Sequence, residues 1–160
     1  MKKLTIAAAS DLSGFPLKQA IVEHLRSRDD IEVMDFGIED AEHPQPYTIQ
    51  APKVAEAVQK GEADRGILVC GTGQGMAIIA NKHKGVYACV ADDIFSGERA
   101  KIINNANVLT LGGWITAPFL GVQIIEAWLS VAFTQKMEEK KDFLTKNFNL
   151  VKELEEKHFK

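Results

Sequence analysis

The 160 residues are 46% apolar and 26% charged with a net charge of −3, the make-up of one folded domain with a sizeable core and not of a disordered chain. The acidic balance and the lack of a basic stripe argue against a nucleic-acid partner, and no stretch reaches the roughly 18 apolar residues that a membrane span needs. Cys70 and Cys89 stand far apart with no CxxC and no metal-ligand spacing, so both are expected as reduced thiols in a cytoplasmic protein without cofactors.

The chain opens on Met1-Lys2-Lys3 and an apolar run, which invites a signal-peptide reading. Ser10-Asp11 interrupts the run too soon, and a buried first strand over 3–9 is the better reading. Leu17, Ile21 and Leu25, with Ala20 beside them, give one apolar face to a helix within 14–27. Residues 31–36 read as a second strand, and Gly37, Pro44 and Pro46 make 37–47 a loop. A helix over 50–60 then ends at Gly61. Residues 65–70 form the third strand, after which Gly71-Thr72-Gly73-Gln74-Gly75 opens a helix running to Asn81. Val86–Ala91 is the fourth strand, followed by a helix at 94–103, a fifth strand at Val108–Leu111, the pair Gly112-Gly113 and a helix over 117–132.

These elements make one domain, 1–160, with its core in 1–132 and a charged helical tail over 133–160. The tail carries Phe143, Phe148, Leu150 and Leu154, and reads either as a helix docking on a neighbouring subunit or as one lying on its own domain. Repeated strand–helix alternation predicts an α/β fold: a three-layer α/β/α sandwich around a five-stranded parallel, Rossmann-like sheet. Ligands of such sheets bind beyond the carboxyl ends of the strands. That rule selects Asp11, Cys70, Asp92, Asp93, Gly112 and Gly113 before any chemistry is considered.

The segment Cys70-Gly71-Thr72-Gly73-Gln74-Gly75 is the most informative stretch. Its glycines permit a tight turn and leave backbone N–H groups uncovered, a nest for an anion or a developing negative charge. A cysteine beside such a nest is placed to act as a thiolate base or nucleophile. The dinucleotide fingerprint is not met, since Met76 or Ile78 falls where its last glycine belongs, and no GK[ST] follows to make a P-loop. Taken alone, the segment reads better as a plain glycine-rich turn with a buried thiol.

Further residues decide the matter. The segment is joined by Ser10-Asp11 with Gly14 and Leu17-Lys18, by Asn81-Lys82, by Asn104-Asn105-Ala106-Asn107-Val108-Leu109, and by Ala127-Trp128-Leu129. In this order they resemble the ribose-5-phosphate isomerase B family, which also holds the two subunits of galactose-6-phosphate isomerase. The resemblance runs from Lys2 to about Leu129. It implies an aldose–ketose isomerase of a sugar phosphate, of the ribose 5-phosphate/ribulose 5-phosphate type, working through a cis-enediolate. Cys70 would move the proton between C1 and C2, and the amides of Gly71, Gly73, Gln74 and Gly75 would hold the enediolate oxygen.

The resemblance also gives Thr72 a role in ring opening or in bonding a hydroxyl, against the alternative of a hydroxyl satisfying its own loop. Asp11 would bond sugar hydroxyls, or cap the helix that follows it, or both. Asn104 would hold hydroxyls, or simply end a helix, and Lys141 would contact the phosphate. Cys89 reads as a core residue. A homodimer or homotetramer with the site near a subunit boundary is implied, with a paralogous subunit as the other form of partnership.

The family pattern is broken at several places. A histidine commonly follows the aspartate matching Asp11, where this chain has Leu12. Another, which assists ring opening, commonly stands where Ile103 is, and an arginine where Trp114 is. The arginines of the family tail face Lys136, Met137, Lys140 and Lys141 here, and a lysine cannot reproduce the bidentate guanidinium fork. Trp114 is free to stack on a sugar face or to fill core. The base and anion hole are thus kept and the ring-opening group is lost. Three functional readings follow: an isomerase for a different, acyclic sugar; a subunit that needs a paralogue; or a sugar-binding protein without turnover.

Overall fold

Strand β1 (Leu4–Ser10) is wholly buried from Ile6 onward, and its alternate residues feed two separate cores. Ile6 and Ala8 face one cluster, Ala7 and Ala9 the other, as the two-residue period of a strand requires. A sheet buried on both faces needs near-continuous small apolar strands, which is what Ile6-Ala7-Ala8-Ala9 supplies. The computed structural model describes residues 2–159.

The remaining elements alternate as expected: α1 (Phe15–Arg26), β2 (Ile31–Asp35), α2 (Tyr47–Gln59), β3 (Arg65–Cys70), α3 (Gln74–Ala80), β4 (Ala88–Val90), α4 (Ile94–Ile102), β5 (Val108–Gly112), α5 (Pro118–Leu129) and α6 (Lys141–His158). The five strands are parallel in the order β2-β1-β3-β5-β4. One face of the sheet is covered by α1, α4 and α5 through Leu17, Ile21, Ala100, Ile124 and Trp128. The other is covered by α2 and α3 through Val54, Ala55, Met76 and Ala80. The three-layer α/β/α class expected above is the observed one.

Several element ends differ from the expectation: helix α5 stops at Leu129 instead of residue 132, and two further differences have a visible cause. Helix α2 starts at Tyr47 instead of residue 50, because the Pro46 carbonyl accepts the amides of Ile49 and Gln50 and starts the first turn early. Strand β4 is only Ala88–Val90 instead of 86–91. Side chains take over its entry: Asn107 Oδ1 accepts the Tyr87 amide, and the Asn81 amide group holds both N–H and C=O of Ala88.

One ion pair is built into the frame. Lys18 is 1% exposed and donates to both Asp35 oxygens at 2.9 Å and to the Ile38 carbonyl at 3.1 Å. Asp35 also accepts the Gly37 amide, so the pair ties the end of β2 and the loop after it to α1. The tail helix α6 lies on its own domain. Phe148 packs edge-on against Tyr87, Glu155 accepts from the Tyr87 hydroxyl and the Gly85 amide, and Lys84 pairs with Glu156. Only Leu144 of α6 is buried, while Phe143, Leu150, Val151 and Leu154 stay exposed.

Candidate active site

Register brings the ends of the three central strands to one level: Ser10 pairs with Val69, and Cys70 pairs with Gly112. The turns that follow them touch. A Cβ on Gly14 would stand 2.4 Å from the Val69 carbonyl carbon and oxygen, so only glycine lets the turn after β1 lie on the end of β3. The Gly113 amide donates to the Cys70 carbonyl at 2.7 Å and the Trp114 amide to the Gly71 carbonyl at 3.0 Å, which locks the turn after β5 onto the loop after β3.

Cys70 ends β3 nearly buried, and its Sγ accepts the Gly73 amide at 3.1 Å. Gly73 has φ +77°, in the left-handed region, and sits with its Cα against the Leu111 backbone. That conformation turns its N–H back to the sulfur and starts α3. Two aromatic side chains wall the loop. The Trp114 ring lies on Gly71, where a Cβ would fall 2.7–2.8 Å from the indole, and the Tyr47 ring lies on Gly75 at 2.8–3.2 Å by the same measure. Both rings are exposed on their outer sides, Trp114 by 75%.

Asp11 follows β1 on the other side of Cys70. Its Oδ1 accepts the Gly14 amide at 3.1 Å, which closes the turn ahead of α1 and does not cap the helix, whose N-cap is Gly14 with no side-chain cap; Asp11 also lines a groove of about 360 Å³ with Leu12, Ser13, Pro44, Gln45 and Pro46. Burial raises its carboxyl above the ordinary range, while the amides of Gly14 and Ser13 pull it back down. Thr72 Oγ1 is 3.4 Å from the Gln74 amide, a loop hydroxyl turned to its own backbone. Gln74 is exposed and its amide opens α3.

Asn104 and Lys141 do not join this group within one chain. Asn104 lies in the turn that enters β5, on the edge of the sheet where strands begin, and β5 itself separates that edge from Cys70 by about 13 Å at the usual rise per residue. There Asn104 and Ile103 border a pocket of about 330 Å³ with Tyr87, Cys89, Phe143 and Phe148. Lys141 opens α6, exposed, beside Asp142 and Thr145. Cys89 is a partly buried neighbour of the core with its thiol raised by burial, in line with a packing role. Sequence reasoning passed over Tyr47 and the Pro44-Gln45-Pro46 wall. They reach the site through the fold and carry no motif; the sole local signal was an aromatic residue directly after a proline-bounded loop.

The strand-end edge thus brings together a buried thiol that accepts the Gly73 amide, a glycine-rich loop and the Asp11 turn, groups of the kind that proton transfer beside an oxyanion uses. The ribose/galactose isomerase family model matches residues 6–144, and the chain belongs to that family of sugar-phosphate isomerases, enzymes that interconvert aldoses and ketoses. A 4-deoxy-4-sulfo-D-erythrose isomerase from Clostridium sp. (strain MSTE9) is 43% identical over 142 residues, 88% of this chain and 89% of that one. A D-erythrulose-4-phosphate isomerase from Mycolicibacterium smegmatis is 38% identical, covering 81% and 86%. The structure of ribose-5-phosphate isomerase B from Clostridium thermocellum superposes with a TM-score of 0.88 at 35% identity, over 97% and 99% of the two chains.

Proposed function

We propose that the protein isomerises an open-chain four-carbon aldose and its ketose, both bearing an anionic group at C4, with Cys70 as the single base. Thiolate Cys70 takes the C2 proton of the aldose. The electrons move onto O1 to give a cis-enediolate, and the same thiol returns a proton to C1 to give the ketose. The amides of Gly71, Gly73, Gln74 and Gly75 border the place where the charged oxygen develops. Asp11, raised by burial, is suited to hold or relay the hydroxyl proton that must pass between O1 and O2.

The observation that carries the reading is Cys70 Sγ held at 3.1 Å by the Gly73 amide at the strand end. The chain length follows from what is missing. An aldopentose phosphate closes its ring through O4 and must be opened before C2 can lose a proton. A four-carbon sugar with C4 blocked by phosphate ester or sulfonate has no free O4 and stays open, so the residue Ile103 in place of a ring-opening histidine carries no penalty. The two relatives named for four-carbon sugars support the same length.

The parts that one chain leaves apart fit a homo-oligomer in which a second copy brings Asn104 and Lys141 to the Cys70 edge. The exposed apolar residues of α6 and those at the rim, Trp114, Ile115 and Phe119, suit such an assembly. The test is turnover of four- and five-carbon substrates by the purified protein. A kcat/KM at least 100-fold higher for a C4-anionic tetrose pair than for ribose 5-phosphate is expected. Preference for ribose 5-phosphate overturns the chain length, and turnover only after a paralogue is added overturns the homo-oligomer.

A further inference from the structure

We infer that Trp114 is a positioning residue for Cys70: its indole clamps Gly71 and so holds the loop in the form that brings the Gly73 amide to the sulfur. The inference rests on Cys70 as the base and not on the length of the sugar. The loop after β3 has glycine at 71, 73 and 75, so its backbone has the widest choice of conformations where the reacting groups must be held most closely. Each glycine is fixed from a different part of the fold. The space of a missing side chain on Gly73 is taken by the Leu111 backbone at 3.0–3.2 Å. That on Gly75 is taken by the Tyr47 ring at 2.8–3.2 Å, and that on Gly71 by the six-membered ring of Trp114 at 2.7–2.8 Å.

Leu111 is part of β5 and Tyr47 starts α2, so two of the clamps belong to regular elements. Trp114 stands in the turn beyond β5, and its clamp is the one next to the sulfur. The Gly113 amide donates to the Cys70 carbonyl at 2.7 Å and the Trp114 amide to the Gly71 carbonyl at 3.0 Å, which ties down the carbonyls of residues 70 and 71. The ring then covers Gly71 itself, which is buried while Trp114 is 75% exposed. Rotation about Gly71 would swing Thr72 and Gly73 together and carry the Gly73 N–H away from Sγ, now 3.1 Å distant. The thiol and the loop amides act together when the proton leaves carbon. A residue that keeps them in register therefore contributes in the transition state, and its loss is read in kcat.

The test follows turnover of a C4-anionic tetrose and of ribose 5-phosphate, and hydrogen exchange of the Gly73 amide by NMR, in the wild type, Trp114→Ala, Trp114→Phe and Phe119→Ala. Trp114 is largely exposed, so its replacement leaves the core intact, and Phe119, exposed on the same rim, controls for the loss of a surface aromatic residue. Trp114→Ala is expected to lower kcat at least tenfold on whichever sugar the wild type turns over, with KM changed less than threefold. Gly73 exchange should quicken at least tenfold at an unchanged urea midpoint. Trp114→Phe, which keeps a ring over Gly71, and Phe119→Ala should both stay within threefold of wild type in kcat and in exchange. A kcat kept by Trp114→Ala, a loss confined to KM, a Trp114→Phe as impaired as Trp114→Ala, or a Gly73 amide that exchanges no faster overturns the inference. The failures are distinguishable. Turnover kept by Cys70→Ala removes the base and the inference with it, whereas a wild type that turns over neither sugar fails the substrate reading, and Gly73 exchange still decides whether Trp114 holds the amide.

Discussion

Replacing Lys18 by Met tests whether the buried ion pair holds the frame around the site. The substitution keeps the apolar stem and deletes an ammonium that makes three hydrogen bonds, two to Asp35 and one to the Ile38 carbonyl. Removing one partner of a buried pair costs about 3–5 kcal/mol when the other charge is left without relief. Asp35 has some relief, since its side chain is 16% exposed and it keeps the Gly37 amide. The expected loss is therefore ~2–4 kcal/mol. Urea unfolding at one fixed protein concentration reads it, because any subunit association would add its own concentration dependence. Asp35→Asn and the double variant complete a cycle in which the two losses should fall short of additivity by about 1 kcal/mol or more. A functional consequence follows, because the loop tied down by this pair leads to Gln45 and Pro46 of the groove beside Asp11. KM should rise more than kcat falls. A Lys18→Met protein within about 0.5 kcal/mol of wild type, the range of an ordinary surface change, would refute the reasoning.

Glycine substitutions separate space from backbone conformation. Gly14→Ala must push apart two backbone segments that its Cβ would meet at 2.4 Å, and should cost ~2–3 kcal/mol and most of the activity. Gly61→Ala meets nothing within 4 Å and pays only for its φ of +73°, about 1 kcal/mol, with activity kept; thermal unfolding and turnover of both variants check the contrast. Lys101 gives a pH signature. Burial first, and the Arg65 charge second, push it down from 10.5 to about 8. The unfolded chain then binds this proton more tightly than the folded one between those two values, so folding stability gains as pH rises through the window. Wild type should gain ~1–3 kcal/mol over Lys101→Met across it, read by urea titration at each pH, and parallel profiles of the two proteins would contradict that placement of Lys101.

Much of the fold was legible because each strand is a short run of small or β-branched residues and each helix shows one apolar face. Alternation in Ile6-Ala7-Ala8-Ala9 carries no polar–apolar signal, yet a wholly apolar run is itself the mark of a strand covered on both faces. The edge proposed for the chemistry was chosen by the rule of strand carboxyl ends, and Cys70, Asp11, Gly112 and Gly113 lie together there. The misses have physical causes. β4 is cut short by side chains of Asn81 and Asn107, whose reach across the fold no local pattern encodes. Tyr47 arrives at Gly75 from the start of α2, the helix before β3, with no motif to mark the contact. Asn104 is adjacent to β5 in sequence but at the wrong end of it, and strand direction alone decides that. A motif places residues in a family and does not say which chain of an assembly delivers them.

The central claim is that one thiol, Cys70, carries the proton between C1 and C2. Incubating a C4-anionic tetrose with the protein in D₂O and following deuterium by NMR reads that step without depending on net conversion. Solvent deuterium should enter C1 of the ketose or C2 of the aldose with the wild type, and Cys70→Ala should slow entry by ~10³-fold or more while remaining folded. Equal deuterium incorporation by Cys70→Ala and wild type would place the base elsewhere and contradict the account.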